Sequence, residues 1–97
     1  MKAMVLEQLC RLDANTQPLV LKEMPDPEPG PGEILIQITV CGVCHTELDE
    51  IEGRTPPPRL PLIPGHQVVG KVMAAGAGAE RFRIGDRVGV AWIYSAC

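Results

Sequence analysis

The chain has no run of lysine or arginine and no long apolar stretch. Its 97 residues carry nine Lys and Arg against twelve Asp and Glu, a net charge of −3. Without a basic run there is no electrostatic footprint for nucleic acid or for an anionic membrane surface. No apolar run approaches the roughly 20 residues that a bilayer-spanning helix needs. The opening Met1-Lys2-Ala3-Met4-Val5-Leu6-Glu7 meets a charge at Glu7 before any long apolar core forms, which makes it a poor secretory signal. No internal repeat is present. The small glycine cluster Gly76-Ala77-Gly78 lacks the third glycine and the following helix of a dinucleotide-binding turn. The expectation is a cytoplasmic protein without a nucleic-acid or membrane partner.

Hydrophobic residues make up 45% of the chain and charged residues 22%, ordinary values for a globular protein. The length suits one small domain with a modest core, marginally stable by itself. Four cysteines, Cys10, Cys41, Cys44 and Cys97, could form two disulfides in a secreted protein. Nothing signals export, so free thiols or metal ligands are favoured.

Glycine and proline, ten of each, punctuate short apolar runs in the manner of a β-rich domain with many turns. Residues 1–9 and 19–24 read as the first two strands. The proline-rich residues 26–32 cannot sustain a ladder, because proline lacks a donor, and form an extended surface connection. Residues 34–40 are the clearest strand: Ile34, Ile36, Ile38 and Val40 alternate with Gln37 and Thr39, placing the apolar set on one face. Residues 44–52 suit one short helix, with acidic residues near its start and Gly53 ending it. Pro56-Pro57-Pro58 and residues 61–64 make a rigid loop. Residues 67–74 read as a strand interrupted by Gly70. After a turn at residues 75–78, a last strand covers residues 87–93, with Val88, Val90 and Trp92 on one face. The sum is five or so strands and one helix. A chain that stops in or just after a strand, at Cys97, is expected to be a piece of a longer protein.

Two motifs carry chemistry. The first is Cys41-Gly42-Val43-Cys44-His45-Thr46-Glu47, between a strand and the helix. A redox dithiol would use both cysteines at a helix N-terminus, but expects a βαβ setting that the preceding strands do not offer. A structural zinc knuckle would use both and needs a second ligand pair, which is not evident. A catalytic zinc site would use Cys44 alone with distant ligands and keep one position open. Two buried small thiols are the plain structural alternative. The second motif is Leu60-Pro61-Leu62-Ile63-Pro64-Gly65-His66-Gln67-Val68-Val69-Gly70, where a Pro-Gly turn delivers His66 to a strand. Alone, such a histidine more often serves structure. Beside Cys44 it gains weight, since thiolate and imidazole are preferred zinc ligands and a Cys₂His set with an open position is a catalytic arrangement.

These two motifs resemble the N-terminal half of zinc-dependent medium-chain alcohol dehydrogenases. So do Phe82-Arg83-Ile84-Gly85-Asp86-Arg87-Val88, the opening Met1-Lys2-Ala3-Met4-Val5 and the run Pro27-Glu28-Pro29-Gly30-Pro31-Gly32-Glu33-Ile34-Leu35-Ile36. The similarity runs in order over essentially all 97 residues. It implies a mainly β, GroES-like barrel with one short helix, residues 1–97 being the N-terminal part of the catalytic domain. A Rossmann domain binding NAD or NADP would follow in the longer protein, a homodimer or homotetramer acting on a small-molecule alcohol or aldehyde. By position, Cys44 and His66 would ligate the catalytic zinc and Thr46 would pass the alcohol proton. A hydroxyl both donates and accepts, which suits a relay, although Thr46 could equally be a helix N-cap. His45 would approach the cofactor pyrophosphate, and Glu47, longer by a methylene than the more familiar Asp, would orient the ligand histidine. By strand alternation, Cys41 would fall on the odd-numbered face if the strand of residues 34–40 continues, away from the apolar row, and would not bind metal. Cys97 falls where a four-cysteine structural zinc lobe begins, and the third catalytic ligand would also lie further on. Without these parts the chain alone is expected to be inactive and to hold zinc weakly.

Two positions depart from the family pattern. Gln67 stands where Glu usually follows the histidine, which removes a charge near the metal. Asp49 stands where the relay commonly ends in histidine. A zinc-free quinone reductase of the same superfamily and a non-enzymatic GroES-like structural module are the alternatives. Neither has a use for the Cys44 and His66 pair, and fold alone does not decide between functions.

Overall fold

The computed structural model describes residues 1–92. Its elements are β1 (Lys2–Leu6), β2 (Leu19–Glu23), β3 (Ile34–Gly42), α1 (His45–Glu52), β4 (Gln67–Ala75) and β5 (Arg87–Val90). The chain is mainly β with one short helix, in two compact units: Met1–Pro25 with Val43–Gly65, and Asp26–Gly42 with His66–Cys97. No helix among the described residues is long and apolar enough to cross a membrane.

In the first unit β1 and β2 pair antiparallel from Lys2↔Glu23 to Leu6↔Leu19. Ala3 and Val5 are buried while Lys2 and Met4 are exposed, the period-two alternation of a half-buried strand. β1 stops at Leu6, short of the expected residue 9, because the next partner on β2 would be Pro18, which has no N–H to donate. Leu6, fully buried, instead exchanges two backbone hydrogen bonds with Leu62, at 2.7 and 2.9 Å. That bridge gives the proline-rich loop its one ladder-like anchor among the described residues. β2 ends at Glu23, although Met24 continues the pairing with backbone bonds to Met1 at 2.8 and 2.6 Å. α1 is held from its C-terminal half by Ile51, which is buried and whose carbonyl accepts the Cys10 N–H at 3.0 Å. Gly53 closes the helix at φ 80°, a left-handed conformation that glycine adopts without a Cβ penalty.

The second unit is a three-stranded antiparallel sheet, β3-β4-β5. β3 runs to Gly42, two residues beyond expectation, and its apolar set does not keep one face. The register carries irregularities between Leu35 and Ile36 and between Ile38 and Val40. Ile38 pairs with Gly70 and Val40 with Val69, so these two side chains sit opposite neighbouring residues of β4 and leave opposite faces of the sheet. Both are more than half exposed. Gly70 does not interrupt β4. It is a buried ladder residue where a Cβ would strike the Gln37 carbonyl oxygen, so glycine lets the two backbones close on each other. β5 ends at Val90, short of the expected residue 93, and Val90 pairs with Val68 near the start of β4; Trp92 is 77% exposed, and Ile93 lies outside the described residues.

Candidate functional site

Five of the expected site residues sit on or at the cap of α1. The first amides of any helix lack intrahelical partners, and here Cys44 supplies them. Cys44 is the N-cap, in extended conformation at φ −129° and ψ −172°, and its Sγ accepts the Thr46 N–H at 3.4 Å and the backbone N–H of Glu47. Glu47 returns the contact: its Oε2 accepts the Cys44 N–H at 2.7 Å, completing a capping box. Glu47 is 4% exposed, the buried carboxylate of this unit. Thr46 is therefore not the N-cap. The cap lies two residues earlier because sulfur, a weak acceptor, takes the place usually held by a hydroxyl or carboxylate oxygen. Thr46 itself is exposed on the first turn.

Asp49 is engaged at the other end of the helix. Arg54 Nε donates to its Oδ1 at 2.7 Å, and the same oxygen lies 3.5 Å from His45 Nε2, one turn earlier. The shorter contact dominates, since a hydrogen bond weakens steeply beyond about 3.2 Å. Arg54 also donates to Glu52 Oε1 at 2.7 Å, and Glu52 Oε2 accepts the Leu12 N–H at 3.2 Å. The Arg54 guanidinium, and after it the Leu12 N–H, hold the Glu52 carboxyl below its ordinary range; Glu52, and after it Asp49, raise Arg54. Sequence reasoning missed Arg54 and Glu52. The available signal was an arginine directly after the glycine stop, where a cation complements the negative end of a helix.

In the second unit, half-buried His66 stands at the entrance to β4, and Gln67 forms the first pair of the ladder, opposite Gly42. The Gln67 side chain lies across Gly42, where a Cβ would collide with its Oε1. Cys41 is opposite Val68 and exposed, its Sγ donating to the Gly42 carbonyl at 3.8 Å. None of Cys10, Cys41 and Cys44 is in a disulfide. Cys97 lies outside the described residues.

Residues 30–97 match the alcohol dehydrogenase GroES-like domain family. Over the whole chain the sequence is 47% identical to an alcohol dehydrogenase of Geobacillus stearothermophilus, of which it covers 27%. Among solved structures it resembles a cobalt- and zinc-bound thermostable alcohol dehydrogenase from Pyrobaculum aerophilum, at 32% identity and a TM-score of 0.79, over 92% of this chain and 26% of that one. It also resembles a mycobacterial quinone oxidoreductase, at 30% identity and a TM-score of 0.76, over 92% of this chain and 27% of that one. The chain thus spans about a quarter of the length of the relatives it matches. With the β-strands, the single helix and the Cys44 and His66 motifs in the order the sequence suggested, the chain belongs to the GroES-like domain family of alcohol dehydrogenases.

Proposed function

We propose that this chain carries part of the catalytic site of a zinc-dependent alcohol dehydrogenase, as the N-terminal part of its GroES-like catalytic domain. What supports the reading is the donor types: Cys44 at the cap of α1 offers a thiolate, and His66 at the entrance to β4 offers an imidazole. Nitrogen and sulfur donors of this kind suit zinc over the hard, oxygen-seeking magnesium and calcium. In this reading Cys44 and His66 are the metal ligands, and Glu47 and Gln67 adjoin them. The metal, when bound, supplies Lewis-acid polarisation of the alcohol oxygen.

The chain's own residues do the rest. Thr46 accepts the alcohol proton through its hydroxyl and passes it outward. His45, exposed beside Cys44, contributes to binding NAD or NADP, whose main binding domain is a further part of the longer protein. Asp49 is poorly suited to end a proton relay, because Arg54 already holds its carboxylate. The substrate class is a small alcohol and its aldehyde. The longer protein is a cytoplasmic homodimer or homotetramer, in which Cys97 begins a structural zinc lobe. The likeness to a quinone oxidoreductase favours a second reading, zinc-free quinone reduction; the Cys44 and His66 pair, which zinc-free members of the superfamily generally lack, argues against it.

The test uses the full-length protein. Zinc content by elemental analysis should be stoichiometric and should fall on Cys44→Ala and His66→Ala. Alcohol oxidation with NAD(P) should disappear in both variants, and in Thr46→Val with zinc retained. Full zinc in both ligand variants, or quinone reduction as the sole activity, would overturn the reading.

A further inference from the structure

We infer that Glu47 is a positioning residue for the Cys44 sulfur and acts through the backbone N–H of Cys44. The inference rests on the proposed role of Cys44 as a metal ligand. The family resemblance points Glu47 towards a histidine, and its carboxylate Oε2 also takes the Cys44 N–H at 2.7 Å. The box works in both directions. The carboxylate fixes Cys44 from the N–H side, while the Thr46 and Glu47 amides fix the sulfur. The residue is thereby held at φ −129° and ψ −172° with its sulfur aimed over the first turn of α1. A ligand already held in one rotamer loses less freedom on binding metal, so the box pre-organises the site.

The identity of the residue matters. Reciprocal capping calls for Glu or Gln at the third helical position, because the side chain has to reach back to the N-cap amide. An aspartate, one methylene shorter, reaches back less far from the same backbone. The extra methylene of Glu47 is therefore the feature that joins ligand geometry to helix capping in this chain. Its burial, at 4% exposure, shields the bond from competing water.

Four forms of the full-length protein test this: the parent, Glu47→Gln, Glu47→Asp and Glu47→Ala. The first measurement is amide hydrogen exchange at Cys44 without metal, with Val72 in β4 as the reference for intact folding. The second is Co²⁺ affinity by chelator competition, read from the thiolate-to-cobalt charge-transfer band. The Gln variant, which still accepts at the same place, should keep Cys44 protection and stay within about twofold of the parent affinity. The Asp and Ala variants should lose protection about tenfold at Cys44 but not at Val72. They should bind Co²⁺ about fivefold more weakly with a shifted band, equivalent to the ~1 kcal/mol of a lost cap. A Gln variant that behaves like Ala would show that the charge acts, not the hydrogen bond, and would overturn the inference. So would an Asp variant equal to the parent, or lost protection with unchanged affinity. Absence of any thiolate band in the parent would bring down the metal reading, and this role with it, whatever the exchange data at Cys44 show.

Discussion

Gly70→Ala puts the packing of β4 to a direct test. A methyl group at position 70 would meet the Gln37 carbonyl oxygen, Ile36 Cγ2 at 2.6 Å and Gln37 C at 3.0 Å. Two of these atoms are backbone and cannot swing aside. Nor can β4 shift away from β3, because β5 pairs with its other edge and Gly70 is itself opposite Val88. Overpacking of this kind costs ~1–3 kcal/mol. Alanine recovers ~0.5–1 kcal/mol of the backbone entropy that glycine loses on folding. The net loss is about 0–2.5 kcal/mol, centred a little above 1 kcal/mol, and at ~4–8 °C per kcal/mol for a chain of this size the melting temperature should drop by up to about 20 °C. Gly89→Ala is the control. It lies in the same sheet, and its added methyl would find only the Val68 carbonyl at 3.8 Å, an ordinary contact. Urea unfolding followed by far-ultraviolet circular dichroism measures both. If Gly70→Ala unfolds at the parent's urea concentration or above, or if Gly89→Ala is equally damaged, the close approach of β3 and β4 at Gln37 is wrong.

Cys44→Ser should leave α1 intact, since serine is a better cap than cysteine, and should abolish the thiolate-to-cobalt band; loss of helix signal would contradict the capping geometry. Leu6→Ala removes a fully buried side chain and should cost ~2–5 kcal/mol, measured by the same urea titration. Glu52 sets a pH dependence: its folded pKa lies below the ordinary 4.5, so its stabilising effect is fully present above that value and is lost as pH falls through the lower folded value. Arg54→Met should flatten that acid limb of the stability profile, and added salt should do the same to the parent, because the pair is partly exposed and screened. An unchanged acid limb in Arg54→Met would show that another group sets it.

The helix was legible because its stop is chemical: Gly53 adopts φ 80°, and the sequence places a glycine there. Its start was harder. Cys44 is not among the usual capping residues, so Cys-x-x-Glu did not read as a capping box, although its spacing is that of Ser-x-x-Glu. The strands were found but misjudged at their ends. Pro18 cuts β1 short from across the ladder, and a partner that far along the sequence is invisible to local periodicity. The same limit hid both irregularities of β3. An apolar alternation over residues 34–40 predicts one buried face only if the pairing is unbroken, and the break is a property of β4 as much as of β3. At the site, the residue types were readable and their partners were not. Asp49 drew notice for the histidine it replaces, whereas the fact that decides its chemistry is Arg54, five positions away and outside the motif.

The register break at Thr39 has a bearing on growth. Among the described residues β3, nine residues long, is an edge strand of its sheet, and such an edge resembles the unterminated step of a crystal, offering a row of amides and carbonyls on which another strand could template. Templating requires a constant repeat. The stretch from Ile36 to Ile38 and the stretch from Val40 onward are out of phase by one residue, so a straight incoming strand can match one stretch but not both. The defect divides one long template into two short ones, neither long enough to seed a fibre well, in a segment whose isoleucines and valine would otherwise invite it.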